Sequence, residues 1–377
     1  MNKKLLFVVN VDWFFLSHRL PIALAALSQG YEVHIATGIT DKRSEMEKHG
    51  LVVHPLSLER GRISLFGELK VFVEIFRLFR RLGPDIVHLV TIKPVLFGGI
   101  IARLTKVPAV VAAVPGLGFV FVAEGFKAAL ARCFVARLYK LALSKKNLRV
   151  VCQNGEDQEI LMRMAGLPAE KVKTLPGSGV DLAVFREEPL PEGVPIIVMA
   201  ARLLRDKGVV EFVDAARLLR DRGVDARFCL AGEPDLENPA SITVTEVSLW
   251  KREQVVELLG HREDIAGLFA GATLVVLPSY REGMPKVLLE AAACGRAVIT
   301  TDVPGCRDAI LPGQSGILVP PRNAALLADA IECLIADPVR CTEMGHAGRM
   351  LAENRFSIDD IVANHMEFYS ELAEVLP

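Results

Sequence analysis

At 377 residues and 51% apolar composition, the chain is long for one hydrophobic core and suits two domains of about 180 residues each. The net charge of −1 conceals a polarity: residues 1–180 hold 25 Lys and Arg against 14 Asp and Glu, a net +11, while residues 181–377 hold 19 against 31, a net −12. Seven cysteines without a Cys-x-x-Cys pair, and no His cluster at metal-ligand spacing, exclude a structural zinc and suit a reducing cytosol; the lack of aromatic-basic interleaving speaks against a nucleic-acid partner.

Residues 1–10 join lysines to an apolar run too short for a signal peptide and without a small-residue cleavage site, so they read as a first strand near 5–10. Further strands are expected near 31–37, 51–57, 85–90, 108–114 and 149–154, with helical periodicity between them. The scheme repeats near 195–201, 226–232, 255–260, 274–279, 297–301 and 316–320, and beyond Ala324 the pattern is helical. Strands alternating with helices imply parallel sheets wound by right-handed crossovers. Segment 187–193, rich in Pro and Glu, has the composition of an interdomain linker. The uncharged run 107–123 is interrupted by Pro108, Pro115, Gly116 and Gly118 and is a little short for a membrane span. Segments 60–81 and 126–149 alternate bulky apolar residues with cations such as Arg77, Arg80, Lys127 and Lys140. Each is either a helix lying in an anionic interface or one packing an apolar stripe on a sheet; two of them in a half of charge +11 favour the membrane.

The chemistry concentrates in the second half. An apolar strand runs into Arg281-Glu282-Gly283-Met284-Pro285-Lys286-Val287-Leu288-Leu289-Glu290, with two carboxylates eight residues apart around a glycine-proline turn. Glu282 is expected in the loop at the strand's carboxyl end, Pro285 near the first helical position and Glu290 about two turns further in. Backbone N–H groups of Gly283, Met284 and the first turn suit a phosphate; the alternative is a helix carrying two solvated acids. Strand 195–201 ends likewise in Arg202-Leu203-Leu204-Arg205-Asp206-Lys207-Gly208, whose cations suit a diphosphate or form a solvated basic loop. With Arg202, Lys207, Glu282, Gly283, Pro285 and Glu290 at these spacings, the chain resembles the retaining glycosyltransferases of family 4, of the bacterial type that extends undecaprenyl-diphosphate-linked glycans. The resemblance spans nearly the whole chain and is specific in the second half.

That resemblance implies an α/β protein of GT-B fold, two Rossmann-like parallel-sheet domains facing a cleft. Residues 1–185 would form an acceptor- and membrane-facing domain, 186–355 a nucleotide-sugar domain, and 356–377 a helix crossing back to the first. The implied reaction moves a sugar, with UDP-N-acetylhexosamine the favoured donor, onto a polyprenyl-diphosphate saccharide at the inner face of the plasma membrane. It needs no metal or cofactor. Arg202, Lys207 and the Gly283–Pro285 helix start would stabilise the leaving diphosphate, Glu282 the donor-sugar hydroxyls and Glu290 the ribose diol. Met284 and Val287 would line the donor site, and the base would fall near His261, Arg262 and Ile265. Residues 11–19 lack the Gly-Gly turn of many relatives, which makes Asp12, Ser17 and His18 acceptor candidates; His18 equally reads as a helix N-terminal residue bonded locally. Gly116 and Gly118 stand where relatives often carry a His, either admitting backbone N–H groups to the donor or forming a plain turn. Lys93 sits at the sheet edge to meet an acceptor diphosphate or remains solvated. A soluble acceptor and a non-catalytic nucleotide-sugar binder are the other readings. An NAD oxidoreductase is disfavoured, since no Gly-x-Gly-x-x-Gly follows the first strand.

Overall fold

The computed structural model describes residues 2–58, 65–116 and 126–374. Expectations placed on residues 60–64 and on Gly118 lie outside them. The chain forms two compact units: one runs to Ser178 and takes in the chain from Ile361, and the other is Gly179–Asp360.

The first unit is built on β1 (Lys4–Val11), β2 (Glu32–Gly38), β3 (Val52–Pro55), β4 (Ile86–Val90), β5 (Ala109–Val114), β6 (Leu148–Cys152) and β7 (Val172–Thr174). The strands are parallel, in the order β3-β2-β1-β4-β5-β6-β7. The second holds β8 (Ile196–Ala200), β9 (Arg227–Ala231), β10 (Glu257–Gly260), β11 (Leu274–Leu277), β12 (Ala297–Thr301) and β13 (Gly316–Val319), in the order β10-β9-β8-β11-β12-β13. Central strands such as Ile86–Val90 and Ala297–Thr301 are buried along their whole length, as sheets covered by helices on both faces require. In each sheet the direction of winding reverses once, between β1 and β4 and between β8 and β11. Ligands of such sheets bind outside the carboxyl ends of the strands at that reversal.

Helices Leu65–Leu82, Ile92–Leu104, Phe126–Ala142 and Gly155–Ala165 cover one face of the first sheet with Val71, Ile75, Phe79, Val95, Ile101, Tyr139 and Leu161. The other face is closed by helix Leu20–Ser28 and by Ile361, Met366, Phe368, Tyr369 and Leu372 of helix Ile358–Glu374. Tyr369 Oη lies 2.5 Å from His88 Nδ1 on β4, which ties that helix to the middle of the sheet. Segment 187–193 lies inside the second unit. Buried Arg296 donates from Nε to Phe269 O at 2.9 Å and from Nη2 to Pro189 O at 3.1 Å, while Arg349 Nη1 donates to Phe185 O at 2.8 Å. The bond to Pro189, with Phe185 anchored just before the segment, holds it to the second unit where its composition suggested a linker. The chain instead leaves the first unit at Ser178, and outgoing Val180 is bonded to the returning chain by Val180 N–H to Phe356 O at 2.8 Å and Ile358 N–H to Val180 O at 3.0 Å. Among the described residues no helix is long and apolar enough to cross a membrane.

Candidate active site

The two basic and acidic loops meet at the winding reversal of the second sheet. After β8 the chain makes a 3-10 turn at Arg205–Lys207 and ends it at Gly208, whose φ is +75°. A side chain there would be strained, and its Cβ would land on the Pro278 carbonyl that closes β11. This glycine therefore lets the β8 loop press against the β11 loop. Tyr280 N–H donates to Asp206 O at 2.9 Å across the junction. Lys207 Nζ then reaches Glu282 Oε1 at 2.5 Å, and Ser279 Oγ donates to the same oxygen at 2.7 Å. The pair is partly buried, with 22% of the Lys207 and 12% of the Glu282 side chain exposed, so water screens it only in part. Glu282 N–H donates to Pro304 O at 3.3 Å, which supports the loop from behind.

Arg202 is held by a residue that sequence reasoning did not single out. Its Nη1 lies 2.7 Å from Asp235 Oδ2, and Asp235 follows β9. Gly232 makes the approach possible, because a Cβ there would overlap the Ala201 carbonyl. The available signal was an Ala-Gly-Glu-Pro-Asp turn at the end of a strand adjoining β8.

Helix Lys286–Ala293 begins one residue later than expected: Pro285 is its N-cap, with extended backbone at φ −75° and ψ 112°. Glu290 is thus the fifth helical residue, little more than one turn in, because residues 278–285 are spent on the loop. Its carboxylate is buried and meets Lys286 Nζ at 3.2 Å. Burial pushes the Glu290 carboxyl above its ordinary range, with Lys286 opposing. Met284 and Pro285 are buried, while Gly283 and Val287 are half-buried. His261 and Arg262 are exposed after β10, and half-buried Ile265 opens a short helix capped by Asp264, which accepts from Gly267 N–H at 2.8 Å.

In the first unit the residues after β1 form a helix, Asp12–His18, which places His18 at its C-terminal end. Asp12 is buried and accepts from Thr40 N–H at 2.7 Å, Thr40 Oγ1 at 2.8 Å, Trp13 N–H at 2.8 Å and Lys42 N–H at 3.1 Å. Burial alone would raise its pKa, but these donors outweigh burial and lower it. Its carboxylate thus clamps the β1 and β2 loops. Ser17 is exposed, and His18 closes the helix with its ring stacked on Phe14 at 4.1 Å between centroids. Lys93, just past β4, lies 2.6 Å from Glu68 Oε1, so it is paired rather than merely solvated. Half-buried Gly116 follows β5. Asp12 and Lys93 accordingly stand at the winding reversal of the first sheet, as Lys207 and Glu282 do in the second, and His18 lies at the far end of the helix that Asp12 opens. Among the described residues, no three His, Cys, Asp or Glu side chains gather as a metal ion would require.

Two units with these strand orders, each presenting polar residues at its reversal point, define a GT-B protein. Residues 194–337 match the family described as glycosyl transferases group 1, and residues 4–154 match glycosyl transferase 4-like proteins. The N,N'-diacetylbacillosaminyl-diphospho-undecaprenol alpha-1,3-N-acetylgalactosaminyltransferase of Campylobacter jejuni is 31% identical over 324 residues, 80% of this chain and 84% of that one. The UDP-Gal:alpha-D-GlcNAc-diphosphoundecaprenol alpha-1,3-galactosyltransferase of Escherichia coli is 30% identical over 260 residues, 64% of each chain. HepE from Anabaena, solved with UDP and glucose, superposes with a TM-score of 0.76 over 98% of this chain and 100% of its own, at 18% identity. The chain belongs to the group 1, family 4-like glycosyltransferases.

Proposed function

We propose that this enzyme transfers a sugar from a UDP-sugar, with N-acetylhexosamine the favoured group, onto a saccharide carried by polyprenyl diphosphate. Configuration is retained, and the protein works peripherally at the cytosolic face of the plasma membrane. The observation that carries the reading is the Lys207–Glu282 contact at the reversal point of the second sheet. A donor diphosphate arriving there competes for Lys207 and releases Glu282 to the sugar hydroxyls, so binding assembles both halves of the site. Bond breaking leaves an oxocarbenium-like sugar and new negative charge on the diphosphate. Lys207, Arg202 and the backbone N–H groups from Gly283 onward are preorganised donors for that charge. The acceptor hydroxyl attacks from the face the diphosphate leaves, guided by its oxygen. These cations take the role a divalent ion plays elsewhere, so turnover is expected to survive a chelator. Buried Glu290 is suited to accept from both ribose hydroxyls.

Support for a lipid-linked acceptor comes from the first unit and from the relatives. The Campylobacter and Escherichia relatives are named for diphosphoundecaprenol substrates; one is an N-acetylgalactosaminyltransferase and the other is named for UDP-Gal. Helix Leu65–Leu82 buries Val71, Ile75 and Phe79 yet leaves Phe66 87% and Leu69 60% exposed, and helix Phe126–Ala142 exposes Phe134. Exposed apolar side chains on a helix that also exposes Lys70, Arg77 and Arg80 suit an anionic interface. The test is transfer from UDP-N-acetylgalactosamine, UDP-N-acetylglucosamine and UDP-galactose to a polyprenyl-diphosphate disaccharide and to the free sugar, with and without chelator. Retention is read from the product's anomeric coupling. Equal rates on the free sugar would make the acceptor soluble, and binding without UDP release would make the chain a non-catalytic binder.

A further inference from the structure

A pocket of about 260 Å³ opens in the first unit where the end of β3, two strands from β1 in the sheet, meets helix Leu65–Leu82. It is smaller than the roughly 300–1,000 Å³ that hold drug-sized ligands. Its polar lining is His54, Glu74, Arg77 and Arg81, and Pro55, Leu56 and Leu78 supply the apolar part. Arg77 and Arg81 stand one helical turn apart and are exposed. Neither forms a hydrogen bond or ion pair within the described residues, and like charges at that spacing repel. Glu74, one turn before Arg77, is turned away from it: its two oxygens accept from Ser57 N–H and Ser57 Oγ, each at 2.8 Å.

The histidine is oriented by a chain of contacts. Carboxylate Glu32 Oε1 can only accept, so His34 Nε2, at 3.0 Å, donates to it. His34 Nδ1 must then accept from His54 Nε2, also at 3.0 Å. Neutral His54 is thereby left with an unprotonated Nδ1 and no further partner among the described residues. Burial, with His34 and Arg81 adding repulsion, holds its pKa at about 4.

We propose that His54, Arg77 and Arg81 form a site for one phosphoryl or sulfuryl group, separate from the donor site and independent of the transferase reading. Two unpaired guanidinium groups one turn apart fork the oxygens, and His54 takes up a proton at Nδ1 to become a third donor. The apolar wall of Pro55, Leu56 and Leu78 suits the glycerol portion of a phospholipid head group, and free phosphate offers the same oxygens.

The full chain, with isotope-labelled histidine, is titrated by NMR in the presence of sulfate, whose charge is constant over the range, and separately on nanodiscs of phosphatidylglycerol or phosphatidylcholine. His54 is expected to rise by about one pH unit or more on binding, the size of effect an adjacent opposite charge produces. The R77Q/R81Q double variant should abolish that rise and weaken sulfate binding by about tenfold or more, as loss of a charge-assisted bond would. Its unliganded melting temperature should match wild type, since both side chains are exposed. A rise with sulfate and with phosphatidylglycerol discs assigns the site to lipid head groups, and a rise with sulfate alone assigns it to free anions. No rise, or the same rise in R77Q/R81Q, overturns the site.

Discussion

On the proposed function, Lys207 is the residue on which the reaction depends most directly. Lys207→Ala should lower kcat by roughly 10²–10³, the scale of losing one preorganised stabiliser of transition-state charge, with folding intact because the pair is only partly buried. Steady-state kinetics with UDP release as readout checks this; wild-type turnover would remove the diphosphate assignment. Glu290 should behave differently, since a ribose does not change during reaction: Glu290→Gln should raise the donor KM with little effect on kcat. Its pH dependence has a definite sign. Because burial raises the folded carboxyl above the ordinary value of 4.5, this group stabilises the free protein below that value and the contribution is lost as pH rises through the folded pKa. Donor binding needs the ionised acceptor, so affinity should climb with pH over the same window, and Glu290→Gln should flatten that part of the profile. Arg202, Lys207, Glu282 and Glu290 could be singled out as candidates because two short motifs place them at the carboxyl ends of strands. Asp235 was not, because only the approach of the β9 loop to the β8 loop makes it a partner of Arg202.

Among the elements, the turn at Gly208 joins the two loops of the proposed donor site. Gly208→Ala forces a Cβ into left-handed backbone, which costs about 1–2 kcal/mol before any overlap with the Pro278 carbonyl. For a unit of this size that corresponds to a melting drop of roughly 2–8 °C, accompanied by a fall in turnover as Lys207 leaves Glu282. Calorimetry beside kinetics would check both, and an unchanged melting temperature would contradict the turn geometry. Most strands could be read from the sequence because buried parallel strands are short apolar runs between helical patterns. Strand β7 escaped because it is three residues long, with two of them exposed. Helix Asp12–His18 escaped because its N-cap, Val11, offers no side-chain oxygen and its aromatic run is as compatible with an extended loop. Segment 187–193 misled because Pro and Glu mark exposed backbone of any kind, and only Arg296 and Arg349 show to which unit it is bound.

Over the whole molecule, charge of +11 in residues 1–180 against −12 in residues 181–377 predicts orientation on an anionic surface. Each cation near such a surface contributes about 1 kcal/mol. Co-sedimentation with phosphatidylglycerol vesicles should therefore be strong at low salt, weak on neutral vesicles, and fall as salt shortens the screening length to about 3 Å at 1 M. Binding that ignores both lipid charge and salt would contradict an electrostatic attachment. The return of the chain from Ile361 has a consequence for biosynthesis. The helix that closes one face of the first sheet, with Tyr369 against His88 and Leu372 in the same core, is translated after the entire second unit. On the ribosome, Gly179–Asp360 can bury its own core while the earlier-made sheet still waits for its cover. Nascent chains arrested once Asp360 has left the exit tunnel should yield a protease-resistant fragment from the later half and digestion of the earlier one, and the order of protection should reverse the order of synthesis.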